Sequence, residues 1–500
     1  MSTFVQNRMT ELSGHLYIAG SFVRSRGDAS PVIDPATEQT VGHFALATPT
    51  EVDDAVAAAR AAQREWWRLS ALERADALHR VADRLNDMAP LVGECLTREM
   101  GKPFRESNWE AGASASSFRY YAELARHEQG RVAGSAIAGQ IHMTLKEPLG
   151  VIVSIVPFNF PVLLFGWQAA ASLAAGNAII VKPSDLTPLT LLMVMEAFDH
   201  LPAGLVQVVT GTAQVGQALV AHEHTHGVAF TGSVPAAQAV ARVAADRFKP
   251  VLIEASGNDP FIVMPSAPID VVARGAAFAS FLNCGQVCTS AERFYVHTDV
   301  FDDFVEAFAE QARSLRVGSG LDNVDMGPLA SSRERDRFER TLHRAIEQGA
   351  RVVTGARRPE RLDRGWFHEP TVMEVRHEFD IMHAESFGPV APVCRVDGLD
   401  QAIEFANDSN VGLGANIYTS DLHEAFRAVH EIESGIVWVN TPLNDNDAVP
   451  FGGRKLTGSG RELGAEGLEQ FRRSKMVMIS PTAEADPEWF PYPDEDAYPG

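Results

Sequence analysis

Between residues 151 and 254, short apolar runs at 151–156, 178–181, 206–209, 227–230 and 251–254 alternate with helical patterns. Strands joined by crossovers of a dozen or more residues can run parallel, so this rhythm predicts βαβ units and a parallel sheet. Ligands of such sheets bind beyond the carboxyl ends of the strands. A second alternating region extends from about Asn258 to about Lys455, with helices expected at 300–315 and 331–348. The fold class is therefore α/β.

Ahead of the first region, 15–23 is strand-like, and Thr50-Glu51-Val52-Asp53 resembles a helix N-cap with a carboxylate close behind it. Amphipathic patterns follow at 72–100, stopping at Gly101, and at 107–127; their charges are expected to be solvated faces. From 132 to 146 the period falls to two, with glycines near the middle, which predicts a strand pair. An isolated pair is marginal, so a partner surface is expected, and the strand-like 475–480 could complete its sheet. The end, 482–500, is rich in Pro, acids and aromatics, and is expected to dock as an ordered extended segment.

The 500 residues, 45% of them hydrophobic, can bury two or more cores, and no apolar run reaches the roughly 18 residues of a membrane span. A net charge of -22 disfavours nucleic acid and anionic lipid surfaces. Four scattered cysteines argue against a secreted disulfide scaffold, so the cytoplasm is expected.

Two of those four cysteines, Cys284 and Cys288, flank a Gly-Gln pair. They could be metal ligands, but a structural zinc needs four, and Cys95 and Cys394 are far away in sequence. They could be buried apolar thiols. Or Cys288 could be a nucleophile. The apolar run 251–253 ends at Glu254, a candidate general base beside the small residues Ala255-Ser256-Gly257. After another strand, Pro157-Phe158-Asn159-Phe160-Pro161 offers an amide as an oxyanion donor.

With Cys288, Glu254 and Asn159 in this order and spacing, the chain resembles the aldehyde dehydrogenase superfamily, non-CoA-acylating branch, from about Asp34 to Ser480. The resemblance implies two doubly wound α/β domains and a small β region. Cofactor binding would fall to 1–130 and 149–257, catalysis to 258–470, and oligomerisation to 131–148 and 471–500 with the tail. It implies NAD rather than NADP, an aldehyde substrate, a homo-oligomer (dimer or tetramer), and no metal. In this family's pattern, Val156, Pro157 and Phe158 border the cofactor, and Lys182, Ser184 and Asp185 meet the adenosine ribose. Gly211 and Gly216 lie near the adenine. Phe230, Thr231, Gly232 and Ser233 open a helix toward the pyrophosphate, with Ala237 where a second glycine is usual. Glu385 and Phe387 would hold the nicotinamide half. A G-x-G-x-x-G fingerprint is absent from the expected place; Gly458-Ser459-Gly460 lies too late in the chain and follows no strand of the first domain.

The same resemblance makes Cys288 the nucleophile, Glu254 the base for water and Glu462 a proton relay. Gln168 stands where many relatives have Lys. Phe160, Trp167, Asp445 and Phe451 would line the substrate, and the acids of 443–447 suggest a polar or cationic aldehyde. Cys284 is expected only to pack. Thioester formation or esterase activity with the same cysteine, and a non-catalytic binding protein of this fold, are the alternatives.

Overall fold

The computed structural model describes residues 3–127, 130–485 and 489–491. Five parallel strands form the heart of the first sheet, in the order Val206–Val208, Ala178–Lys182, Val151–Ile155, Gly227–Thr231, Val251–Glu254. Helices cover both faces, which is why the strands are apolar runs rather than alternating patterns. The hairpin His15–Ile18 and Ser21–Arg24 adds antiparallel strands at one edge. At the other edge sits Gly458–Ser459, pairing Gly458 with Glu254. The late glycine segment thus belongs to the first sheet after all, and its pairing brings residues from far along the chain to the end of the Glu254 strand.

The long helices begin where side chains satisfy the free N–H groups of the first turn. In Pro49–Arg68 the cap is Thr48, with Glu51 closing a reciprocal capping box, two residues ahead of the Thr50 expected from sequence. Ala71–Met100 starts with the same box, Ser70 and Glu73, and stops at Gly101 in the left-handed region, φ 94°. Phe104–Leu124 packs back along it. An additional helix, Thr3–Leu12, lays Val5, Met9 and Leu12 on the first core.

The sequence expectation that the charges around these helices are solvated faces does not hold for all of them. Glu99, Lys102 and Glu110 are buried. Lys102 Nζ lies 2.7 Å from Glu110 Oε2, and Glu110 Oε1 accepts the N–H groups of Val162 and Leu163 at 2.8 and 3.1 Å. A buried carboxylate thereby caps the wholly buried helix Pro161–Ala174.

Six parallel strands make most of the second sheet, in the order Thr371–Glu374, Val390–Val396, Ala291–His297, Asp259–Val263, Asn416–Tyr418, Trp438–Val439. Arg351–Thr354 pairs antiparallel at one edge. Its core is separate from the first and rich in Phe, including Phe261, Phe294, Phe304 and Phe308. A third, three-stranded antiparallel sheet runs Arg472–Ile479, Ile141–Pro148, Gly130–Ala133. It pairs the strand-like C-terminal segment with the expected hairpin. Most of the segment 482–500 lies outside the described residues.

Candidate active site

Where the helix Ile269–Phe281 ends, Asn283, Cys284 and Gly285 take left-handed backbone angles, φ 51°, 58° and 70°. Such angles cost non-glycine residues about 1–2 kcal/mol each, so they persist only where neighbours impose them. Here Glu106 accepts the Asn283 N–H at 3.1 Å, and Gln286 bonds the Asn283 carbonyl at 3.0 Å and the Ala330 N–H at 3.0 Å. Gly285 is required as well: a Cβ would stand 2.3 Å from the Gly388 carbonyl oxygen. The turn buries Cys284 and leaves Cys288 partly open to a cleft. Burial, with the Glu106 charge, raises the Cys284 thiol pKa, which keeps it a packed, protonated group.

Asn159 faces this turn. Its Nδ2 donates to the Gln286 carbonyl at 3.1 Å, and its own carbonyl accepts from Asn283 Nδ2 at 3.2 Å and from Lys102 Nζ. The buried Lys102–Glu110 pair therefore anchors the oxyanion candidate and the following helix together.

Glu254, at the end of its strand, is buried, and neither carboxyl oxygen has a hydrogen-bond partner apart from the Cys288 thiol beside it. Burial raises its pKa well above the usual range, and the Glu462 charge adds to this; the neighbouring Cys288 thiol acts in the opposite direction. Burial likewise pushes the Cys288 thiol up, with Glu254 the next cause. Glu462 reaches this region through the pairing of Gly458 with Glu254. Its backbone exchanges hydrogen bonds with Phe451 at 2.7 and 2.8 Å, one carboxyl oxygen accepts from Gln168 Nε2 at 2.9 Å, and the other is unpartnered. Gln168 is oriented by Ser154, which donates to its Oε1 at 2.6 Å, and its amide also reaches Thr231 at 3.2 Å. Burial raises Glu462 to about 7.

The cleft, of about 470 Å³, brings together Cys288, Glu254 and Asn159 with Val156, Pro157, Phe158, Lys182, Ser184, Asp185, Phe230, Thr231, Gly232, Ser233, Glu385 and Phe387. Gly211, Gly216, Glu462, Phe160, Trp167, Asp445 and Phe451 are not on its wall. Gly216 instead packs beneath Lys182, where a Cβ would lie 3.7 Å from Lys182 Cδ. Trp167 and Phe451 form a ring pair at 4.9 Å, and the Phe160 ring lies 3.7 Å below the Lys102 ammonium. Asp445 is on an exposed loop, yet its charge bears on both Glu254 and Cys288.

Sequence reasoning missed the supports on the far wall. Glu292 accepts the N–H groups of Ser386 and Phe387 at 2.5 and 2.7 Å, while Arg337 donates to the carbonyls of Glu385 and Phe387 at 3.4 Å each. These bonds hold Phe387 at φ 46° and set its ring edge-on to Phe158 at 5.9 Å. Only the Glu292-Arg293 charges inside an otherwise apolar strand, Ala291–His297, could have signalled this.

A model of the aldehyde dehydrogenase family matches residues 22–477. A 3,6-anhydro-alpha-L-galactose dehydrogenase of Vibrio sp. (strain EJY3) is 34% identical over 473 residues, 93% of this chain and 98% of that protein. A betaine aldehyde dehydrogenase of Brucella anthropi is 35% identical over 471 residues, covering 93% and 96%. The crystal structure of betaine aldehyde dehydrogenase from Staphylococcus aureus in complex with NAD+ superposes with a TM-score of 0.94 at 29% identity, covering 98% of this chain and 99% of that one. Matched along nearly its whole length in sequence and in fold, the chain belongs to the aldehyde dehydrogenase family.

Proposed function

We propose that this protein is a cytoplasmic, NAD-dependent dehydrogenase that oxidises an aldehyde to a carboxylic acid through a thioester on Cys288. The observation that carries this reading is the Glu254 carboxyl, buried with no hydrogen-bond partner other than the Cys288 thiol at the cleft. A carboxyl so placed is poised to take protons rather than to brace the fold.

The cleft residues fit a dinucleotide. The helix Val234–Ala245 begins at Ser233 without a side-chain cap, leaving its first N–H groups for an anion. Gly232 keeps the approach open, since a Cβ there would meet the Phe230 ring at 2.8 Å. Lys182 and Asp185 would take the adenosine ribose, and Asp185 would repel a 2'-phosphate, favouring NAD over NADP. Glu385 and Phe387 would hold the nicotinamide half. When bound, NAD supplies the two-electron oxidant.

Cys288 releases its proton to solvent and adds, as the thiolate, to the aldehyde carbon. The developing oxyanion accepts hydrogen bonds from the second N–H of Asn159 Nδ2 and from the Cys288 backbone N–H. After oxidation of the adduct, Glu254 takes a proton from water as that water attacks the thioester, releasing the acid and restoring the thiol. Glu462 lies next along the proton path. Gln168 orients it but carries no ammonium of its own.

Asp445 favours a polar or cationic aldehyde. It is exposed on its loop, while its neighbour Asp447 is already held by Ser116 and Ser117 at 2.6 Å each. Relatives named for betaine aldehyde and for an anhydro sugar agree with a polar substrate. The three-stranded sheet exposes Val132, Met476 and Met478, which supports a homo-oligomer that covers them.

The test is reduction of NAD and of NADP, followed by absorbance, across alkyl, aromatic, amino and hydroxylated aldehydes. Faster turnover of polar aldehydes with NAD is expected. Equal efficiency with NADP would overturn the cofactor preference, and no turnover of any aldehyde would overturn the activity.

A further inference from the structure

We propose that His377, His383 and Asp408 bind a divalent transition-metal ion of the zinc or nickel class, at a site separate from the catalytic cleft. Among the described residues these are the one group of three or more His, Cys, Asp or Glu side chains whose candidate ligand atoms converge, all within 4.8 Å of one another. Two imidazoles and a carboxylate suit zinc, nickel or copper, whereas magnesium and calcium prefer oxygen shells. His377 Nε2 lies 3.0 Å from Asp408 Oδ2. A tetrahedral site with bonds of about 2.0 Å has edges of roughly 3.3 Å, so this pair already spans one edge.

The surroundings hold the ligands in place. The His377 ring stacks on Phe405 at 3.9 Å and 5°, and meets His383 edge-on at 5.0 Å. Asp408 follows the helix Leu399–Asn407, whose Phe405 and Ala406 carbonyls are fixed by the buried Arg293 at 3.0 and 2.9 Å. On the far side of the His377 ring, Nδ1 is 3.2 Å from the Tyr295 hydroxyl, the outer contact that sets the tautomer of a ligating imidazole.

That contact accommodates both states. Without metal, Tyr295 donates to Nδ1, and Nε2–H donates to Asp408. With metal on Nε2, the ring proton sits on Nδ1 and is donated to Tyr295, whose own proton turns to the Phe405 carbonyl at 3.2 Å. The imidazole stays neutral throughout, and no donor is stranded. A simple surface ion pair would account for His377 and Asp408 but would leave His383 without a role.

The position gives the ion a consequence. His383 stands two residues before Glu385, and Asn258 Nδ2 already bonds the Met382 carbonyl at 3.3 Å. A bound ion would fasten this segment to the end of the helix Leu399–Asn407 and steady Glu385 and Phe387. That effect on NAD affinity rests on the function proposed above; the binding of the ion does not.

The test is calorimetric titration of the full-length, chelator-stripped enzyme with nickel, then zinc. One ion per chain is expected in the wild type and in Cys288→Ser, with affinity at least tenfold weaker in His383→Ala and in Asp408→Asn. Unchanged binding in His383→Ala would overturn the site. Loss of binding in Cys288→Ser would do so too, by placing the ion on the active-site thiol.

Discussion

Two groups of buried carboxyls sit within one molecule, and they are treated oppositely. Glu99 accepts from the Leu189 and Thr190 N–H groups at 2.7 and 2.8 Å and from the Thr190 hydroxyl at 2.5 Å. Glu110 has two helix N–H groups and an ammonium, and Glu292 has the N–H groups of Ser386 and Phe387. Glu254 has no partner but the Cys288 thiol, and Glu462 has one, Gln168. Burial alone does not mark reactive groups, because both sets are removed from water. The distinction lies in hydrogen-bond accounting: a satisfied carboxylate braces a helix or loop, while an unsatisfied one costs stability and is kept for another reason.

The largest effect that would sharpen this contrast is at the thiol beside the unsatisfied pair. Cys288→Ala is expected to abolish dehydrogenase and ester hydrolysis together while the protein melts as before. Retained turnover would break the assignment. Next, Glu110→Ala strands the Lys102 ammonium and should cost about 3–5 kcal/mol in denaturant titration. Glu254→Gln should cost little stability, since it replaces a buried carboxyl that braces no backbone group. Equal losses in the two variants would erase the contrast.

A smaller effect is expected from Glu462→Gln. Its negative charge helps raise the Glu254 pKa, so removing it lets Glu254 ionise at lower pH. The rise of turnover with pH, which requires deprotonated Glu254, should move toward acid. A shift toward alkali would contradict the coupling. Asp445→Ala should change the ranking of amino and alkyl aldehydes and leave the chemistry intact. Cys284→Ala, at a packed thiol, should keep most activity and cost about 1 kcal/mol of stability.

Much of this was legible because it is local. Parallel strands covered on both faces leave apolar runs, so the five central strands of the first sheet stand out in the sequence at nearly their observed bounds. On the first-sheet side, the residues of the cleft follow strand ends, where a strand-helix rhythm points. What stayed hidden depends on distant pairing. The two-residue strand Gly458–Ser459 has no pattern of its own, yet its pairing with Val251–Glu254 brings Glu462 toward Glu254. Lys102 and Glu110 look like ordinary helix charges until the Pro161–Ala174 helix end is placed against them. The Thr48 cap was within reach, since Thr48 precedes Glu51 by three residues.

The most direct test of the account is a rapid-mixing experiment on Glu254→Gln with NAD and a saturating aldehyde. Cys288 should still react and the base for water should be missing, so one equivalent of NADH per active site should form quickly and then stop. Mass spectrometry of the arrested enzyme should find the acyl group on the Cys288 peptide. A first turnover that is itself slow, with no burst and no acyl-enzyme, would show that Glu254 does not serve hydrolysis and would contradict the proposed division of labour between Cys288 and Glu254.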